Sequence, residues 1–152
     1  MKSVNRKEHA RILYEGKKVP HHSCGICMAV TFGLKPSSYQ SLRKGGITGA
    51  GECGAIKGGE MVIGEYLGDP DPIGAVTDNL RSGMTRYREL LADARLSPLA
   101  MIVCDHLVRD YPDFQGADRK AFCTELVVQV TDMVQKVLDE QGVHCREPLA
   151  YE

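Results

Sequence analysis

The apolar positions of this chain recur at three- and four-residue steps, a period that predicts helices joined by glycine- and proline-rich turns. The clearest element runs from about Asp118 to Glu140. There Phe122, Leu126, Val130, Met133 and Val137 form one stripe, widened by Val127, Val134 and Leu138, and Gly142 stands where the helix should stop. A second stripe of Ile56, Met61, Val62, Ile63, Tyr66 and Leu67 predicts a helix from about Cys53 to Leu67, closed by GDPDP. Asp71 followed by Pro72 reads as an N-cap with proline at the first helical position. Ile73, Val76, Leu80, Met84, Tyr87 and Leu91 then continue at helical spacing, so the next helix is expected to start at Pro72.

Shorter elements fill the rest. Glu8–Tyr14 predicts a short basic helix, Ser23–Phe32 a compact apolar segment, and KPSSYQSLRKGG one or two helical turns from Pro36. The run LAMIVCDHLV, after Ser97-Pro98, is apolar enough for a buried strand; with no second strong strand to pair with it, helix is the expectation. The sum is an all-α, compact helical bundle of about five to six helices. The glycine-rich loop GGITGAGECGAIKGG follows the first cysteine segment. Residues 1–152 are read as one domain, with 1–18 a basic helix or arm and 142–152 a C-terminal tail.

Composition narrows the function classes. Hydrophobic residues make up 43% and charged residues 26%, and the net charge is -1, so nothing draws the chain to nucleic acid or to an anionic membrane. Aromatics are 6% with no tryptophan, which argues against base-stacking surfaces. No apolar run approaches the roughly 20 residues of a membrane span, and the first residues lack the apolar core of a signal peptide, so a cytoplasmic protein is expected.

The cysteines change the picture. They stand at Cys24, Cys27, Cys53, Cys104, Cys123 and Cys145. In a reducing compartment such a set points to metal or redox chemistry more than to disulfides, although any one alone is compatible with a small buried hydrophobe. In HHSCGIC, Met28 follows Cys27, which excludes the C-x-x-C-H of covalent haem attachment. A thioredoxin-like C-x-x-C lacks its βαβ context, although CGIC is compatible with a helix start. GAGECG matches G-x-G-x-x-G, but the preceding SLRKGGIT is polar rather than a strand, so the dinucleotide reading is rejected. Gly51 and Gly54 instead become candidate cofactor-binding positions, where backbone passes close to a neighbouring helix or to a metal–sulfur site at Cys53.

Cys53 is expected at a helix N-terminus, where free N–H groups favour a thiolate. Cys104 shares a face with Met101, Leu107 and Val108, and Cys123 with Leu126, Val127 and Val130; both are predicted to point inward. With Cys53 and either Cys27 or Cys24 they are candidate metal ligands, and four thiolates suit an iron–sulfur cluster or zinc. His21 and His22 with Cys24 form a secondary candidate zinc site, and His144-Cys145 reads as an exposed tail. There is no Ser/His/Asp order, P-loop or H-E-x-x-H, and Glu52 is the one carboxylate of interest because it adjoins Cys53.

The order CGICMAV, GECGAIKGGEMVIGEYLG, MIVCDHLV and RKAFCTELV resembles the redox-active protein family with the C-GCAxxG-C-C cysteine signature, over roughly Ala10 to Glu140. The central block is the most specific part of the likeness. The resemblance implies Cys53, Cys104 and Cys123 as redox or metal ligands, with Cys27 or Cys24 as the first. It also implies a relation to the iron–sulfur domain of split-Soret cytochromes. KKVPHHS, with Pro20, intervenes before the first cysteine, Ala29-Val30 follows Cys27 one residue early, and the C-x-x-C and Cys145 lie outside the signature. The expected function is therefore electron transfer by an iron–sulfur protein, most simply [2Fe–2S], to a redox partner protein, with a homodimer compatible. Two alternatives stay open: metal-free thiol–disulfide exchange, with Cys24 and Cys27 attacking and Cys53 resolving, and a helical interaction module with structural zinc.

Overall fold

A computed structural model describes residues 5–150. Six α-helices follow in order: α1 (Arg6–Glu15), α2 (Cys24–Thr31), α3 (Gly54–Leu67), α4 (Asp78–Asp93), α5 (Cys104–Leu107) and α6 (Ala117–Glu140). Two 3-10 segments, Pro36–Leu42 and Leu99–Ile102, lie between them. The fold is all-α, as the periodicity predicts. Among the described residues no helix is long and apolar enough to cross a membrane. Met1–Val4 of the expected basic arm, and Tyr151 and Glu152 of the expected tail, lie outside the described residues.

Helix α6 is the axis of the molecule and packs against α1, α3 and α4, with a lighter contact to α2. Its stripe buries Val127, Val130, Val134, Val137 and Leu138 almost completely. Each such side chain contributes about 1.5–3 kcal/mol of burial free energy. Against it pack Leu13 of α1, Ile56, Val62 and Ile63 of α3, and Tyr87 and Leu91 of α4, forming one continuous core. The ends of α1 follow from local chemistry: the Asn5 side chain accepts the N–H of Glu8, and Gly16 terminates the helix in the left-handed region at φ 69°.

Close approach of α3 to its neighbours depends on small residues. A methyl group at Gly58 would crowd Met28 and the Cα of Gly25 on α2. One at Gly59 would stand 2.5 Å from the Tyr87 hydroxyl and 2.8 Å from Val134 Cγ2. That hydroxyl is held in place, donating to the Ile56 carbonyl at 2.6 Å.

Three expectations are corrected. Helix α4 starts at Asp78, not at Pro72, leaving Ile73 93% and Val76 58% exposed. Asp71 accepts the N–H of Ile73 in a tight local turn instead of capping a helix. The cap is Thr77, whose hydroxyl accepts from Leu80 N–H and donates to the Leu67 carbonyl, so α4 is anchored to the end of α3. The run LAMIVCDHLV is not one helix either: it breaks at Val103, which forms an isolated antiparallel bridge with Glu52. Lastly, the tail is docked. Leu149 N–H donates to the Val30 carbonyl and Arg146 N–H to the Tyr66 hydroxyl, both at 3.0 Å. Buried Arg6 donates to the carbonyls of Thr31 and Arg146, and Cys145 is buried although His144 is exposed.

Gly59→Ala should therefore destabilise the protein by about 1–3 kcal/mol through overpacking. A urea titration reads this directly, and a midpoint unchanged from the parent would contradict the tight α3–α4–α6 contact.

Candidate functional site

Four of the cysteines, carried by four separate segments, wall one cavity of about 320 Å³: Cys24, Cys53, Cys104 and Cys123. Cys24 is the first residue of α2, Cys53 the N-cap of α3, Cys104 the first residue of α5, and Cys123 lies on α6. The spacing of Cys53 and Cys104 is set by the bridge. Cys53 N–H donates to the Ile102 carbonyl at 2.7 Å, and Cys104 N–H donates to the Gly51 carbonyl at 2.9 Å. The Asp105 N–H adds a bond to the Gly49 carbonyl at 2.9 Å, fixing the start of α5 over the glycine-rich loop.

The two candidate glycines have different roles. A methyl group at Gly54 would meet both Cys24 Sγ and the Leu42 carbonyl oxygen at 2.4 Å. Only glycine allows the Cys24 sulfur this near the start of α3, and Gly54 itself lines the cavity. Gly51 does not line it; its carbonyl receives the Cys104 N–H, its own N–H donates to the Gly45 carbonyl at 2.9 Å, and a methyl group there would crowd that same oxygen. The backbone N–H groups of Gly25 and Ala55 reach the Cys24 sulfur, and those of Ile56 and Ala55 reach the Cys53 sulfur. Ala55 N–H thus serves both thiols from the N-terminal turn of α3.

Burial nevertheless dominates the ionisation of these groups. Desolvation pushes up the pKa of Cys24, with Cys123 adding to it, and that of Cys53, with Cys24 adding to it. Cys104 is pushed up to about 11 by burial and by the neighbouring Cys24, Cys123 and Asp105. At Cys24, Cys53 and Cys104 the neutral thiol is favoured, because burial penalises the charge and each neighbouring thiolate opposes it.

Cys27 lies elsewhere. It is completely buried, donates from Sγ to the Ala10 carbonyl at 3.4 Å, and sits 3.9 Å from Thr31 Oγ1. Burial pushes its pKa up to about 12. Three residues along a helix carry a side chain about 4.5 Å further on and roughly 60° around the axis, which turns Cys27 from the cavity toward α1. Of the two first-cysteine candidates, Cys24 is the one at the cavity. Cys145 is also outside it.

His21 borders the cavity with its ring edge-on to Tyr14 and its Nδ1 2.5 Å from the Tyr14 carbonyl, and burial lowers its pKa. The Nδ1 of His22 instead faces the Pro20 carbonyl at 2.6 Å. Among the described residues, no three His, Cys, Asp or Glu side chains stand close enough together to hold a single ion. The four thiols stand around the cavity rather than at one point.

The cavity also contains residues that motif reasoning passed over. Buried Arg119 donates to the Tyr14 hydroxyl at 2.8 Å and to the Phe114 carbonyl at 2.6 Å, and its guanidinium lies 3.9 Å from the centre of the Phe114 ring. Cys123 lies beside it and helps to hold its charge. Burial works against its charge, but Cys123 and Tyr14 more than offset that, and its pKa is raised. A signal was present in the sequence: Arg119 precedes Cys123 by four residues, one helical turn. Arg43, Lys44 and Lys120 complete the polar lining, while Leu107, Val108, Leu126 and Val127 form its apolar walls.

No protein-family model, curated protein or solved structure matches this chain.

The raised thiol pKa values set a pH dependence. Cysteine in an unfolded chain ionises near about 8.5. Between that value and the higher folded ones, the unfolded state binds fewer protons than the native state, so stability falls as pH rises. The urea midpoint of reduced, metal-free protein should be level below about pH 8 and decline toward pH 11. A midpoint that stays constant or rises over this interval would contradict the neutral-thiol cavity.

Proposed function

We propose that this chain is a redox protein in which Cys24, Cys53, Cys104 and Cys123 hold an iron–sulfur cluster, of the [2Fe–2S] type, and that it exchanges electrons with a partner protein. The observation that carries this reading is the meeting of four thiols from four separate segments at one cavity. Such a cluster takes four cysteine thiolates and supplies reversible electron transfer when bound.

The donor set fits such a group. Cys24, Cys53 and Cys104 resist ionisation in this buried setting, and a multiply charged cation reverses that balance by making each a ligand. The N–H groups of Gly25, Ala55 and Ile56 aim at the Cys24 and Cys53 sulfurs, and Arg119 lies beside Cys123. Hydrogen bonds to ligand sulfurs stabilise negative charge there and tune a potential. Leu107, Val108, Leu126 and Val127 give the cavity apolar walls beside the sulfurs. The cysteine order, with its resemblance to the C-GCAxxG-C-C family, points the same way.

The alternatives find less support. Thiol exchange by Cys24 and Cys27 needs an accessible thiolate pair, whereas Cys27 is sealed against α1 and the pKa of both is raised. Structural zinc would require sulfurs gathered at about 2.3 Å from one centre, and no three metal-ligating side chains are so gathered among the described residues.

Protein purified without oxygen, or reconstituted with iron and sulfide, should be brown and contain iron and sulfide in equal amounts. Cys53→Ser should lose most of the iron while Cys27→Ala retains it. Full iron content in Cys53→Ser, or colourless parent protein after reconstitution, would sink the proposal.

A further inference from the structure

Positive charge is gathered around the thiol cavity. The chain has 19 Lys and Arg against 20 Asp and Glu. Yet the cavity is lined by Arg43, Lys44, Arg119 and Lys120 with no carboxylate among its walls. Elsewhere five cations, spread over the surface, are paired with carboxylates: Lys7 with Asp132, Arg11 with Glu125, Lys57 and Arg88 with Glu60, and Arg86 with Glu140. Among the described residues, Arg43, Lys44 and Lys120 have no such ion pair.

Arg119 is already committed to Tyr14 and Phe114 and lies beside Cys123, so it is the cation suited to offset thiolate charge. The other three are exposed at the rim. Lys44 is held there by the Phe114 ring, 4.7 Å from its Nζ, the same ring on which Arg119 lies. Inside the rim, the Ser23 hydroxyl oxygen is buried without a hydrogen-bond partner and does not cap α2, although it stands at the N-cap position. A buried hydroxyl left unpaired is costly unless something accepts from it. Neighbouring cations with no counter-charge likewise repel one another.

We propose that the mouth of this cavity binds a small oxyanion or carboxylate, held by Arg43, Lys44 and Lys120 with the Ser23 hydroxyl as an inner donor. The cations surround a concavity of about 320 Å³ rather than a flat face, and that volume suits a small molecule more than a protein surface. The apolar walls of Leu107 and Val108 lower the local dielectric and strengthen each charged contact. The site brings its ligand beside the thiols, where a substrate of a redox centre would have to lie. It goes beyond the cluster reading and does not require it, because the cations belong to the chain itself.

The test is calorimetric titration of the full chain, both reconstituted and metal-free, with sulfate, phosphate and malonate, at ionic strength held constant with potassium chloride. At least one of the three should bind saturably and, in the metal-free protein, slow the alkylation of Cys104 by iodoacetamide. Arg43→Gln/Lys120→Gln should weaken that binding by about tenfold or more, leaving Tm without ligand unchanged. Lys7→Gln/Lys57→Gln, which removes the same charge elsewhere, should leave affinity as it was. Iron content in the rim variant, expected to equal the parent's, separates failure of this site from failure of the cluster. No saturable binding above chloride, unchanged affinity in the rim variant, or binding that leaves Cys104 alkylation unaltered would each overturn the proposal. So would binding of poly-glutamate without any of the small anions, which would assign the rim to an acidic protein surface.

Discussion

The Cys53 N–H donates to the Ile102 carbonyl and the Cys104 N–H to the Gly51 carbonyl, and most of what is distinctive in this molecule depends on that pair of bonds. They are the ladder of the isolated bridge between Glu52 and Val103, in a chain otherwise built of helices. The bridge ends the apolar segment Leu99–Ile102 and the glycine-rich loop before α3 in extended backbone. It starts α3 at Gly54 and α5 at Cys104, so that a cysteine stands at the beginning of each. Backbone bonds of this kind each contribute about 1 kcal/mol net. Their larger effect is geometric, since they hold in register two loops that are distant along the chain.

The site is assembled at one end of a well-packed bundle. The buried stripe of α6 with Leu13, Ile56, Ile63, Tyr87 and Leu91 supplies the burial free energy that makes such an assembly affordable. The polar groups around the thiols are arranged at some expense: neutral thiols crowded together, a buried arginine on Phe114, and a serine hydroxyl with no partner. Local costs that the rest of the fold offsets are characteristic of places where proteins bind or react. Gly54 and Gly59 belong to the same design, one admitting the Cys24 sulfur and the other the Tyr87 hydroxyl, both at distances no side chain would permit.

Helix α6 was legible in the sequence almost to the residue, because a long amphipathic stripe repeats its signal over many turns. Helix α3 was legible for the same reason, within one residue of its expected start at about Cys53. Helix α4 was misread at its start, because Asp71-Pro72 and Thr77 both carry capping chemistry and only the contact of Thr77 with Leu67 selects between them. Cys145 was misread as exposed, whereas His144 is exposed as expected, because nothing in the tail's composition shows that Arg6, Val30 and Tyr66 hold its backbone. The break at Val103 was hidden by an apolar run that suits strand and helix alike.

By itself, then, the sequence determined the helical class, the stripe that each long helix buries, and the set of thiols from which a site has to be made. These are matters of local period and residue chemistry, which neighbouring positions decide between themselves. Only the tertiary structure decided that Cys24 rather than Cys27 faces the cavity and that Cys53 and Cys104 are bridged across it. It also decided that Arg43, Lys44, Arg119 and Lys120 gather there. Those outcomes rest on contacts between residues far apart in the chain, and their energies depend on which face of each helix the packing turns inward.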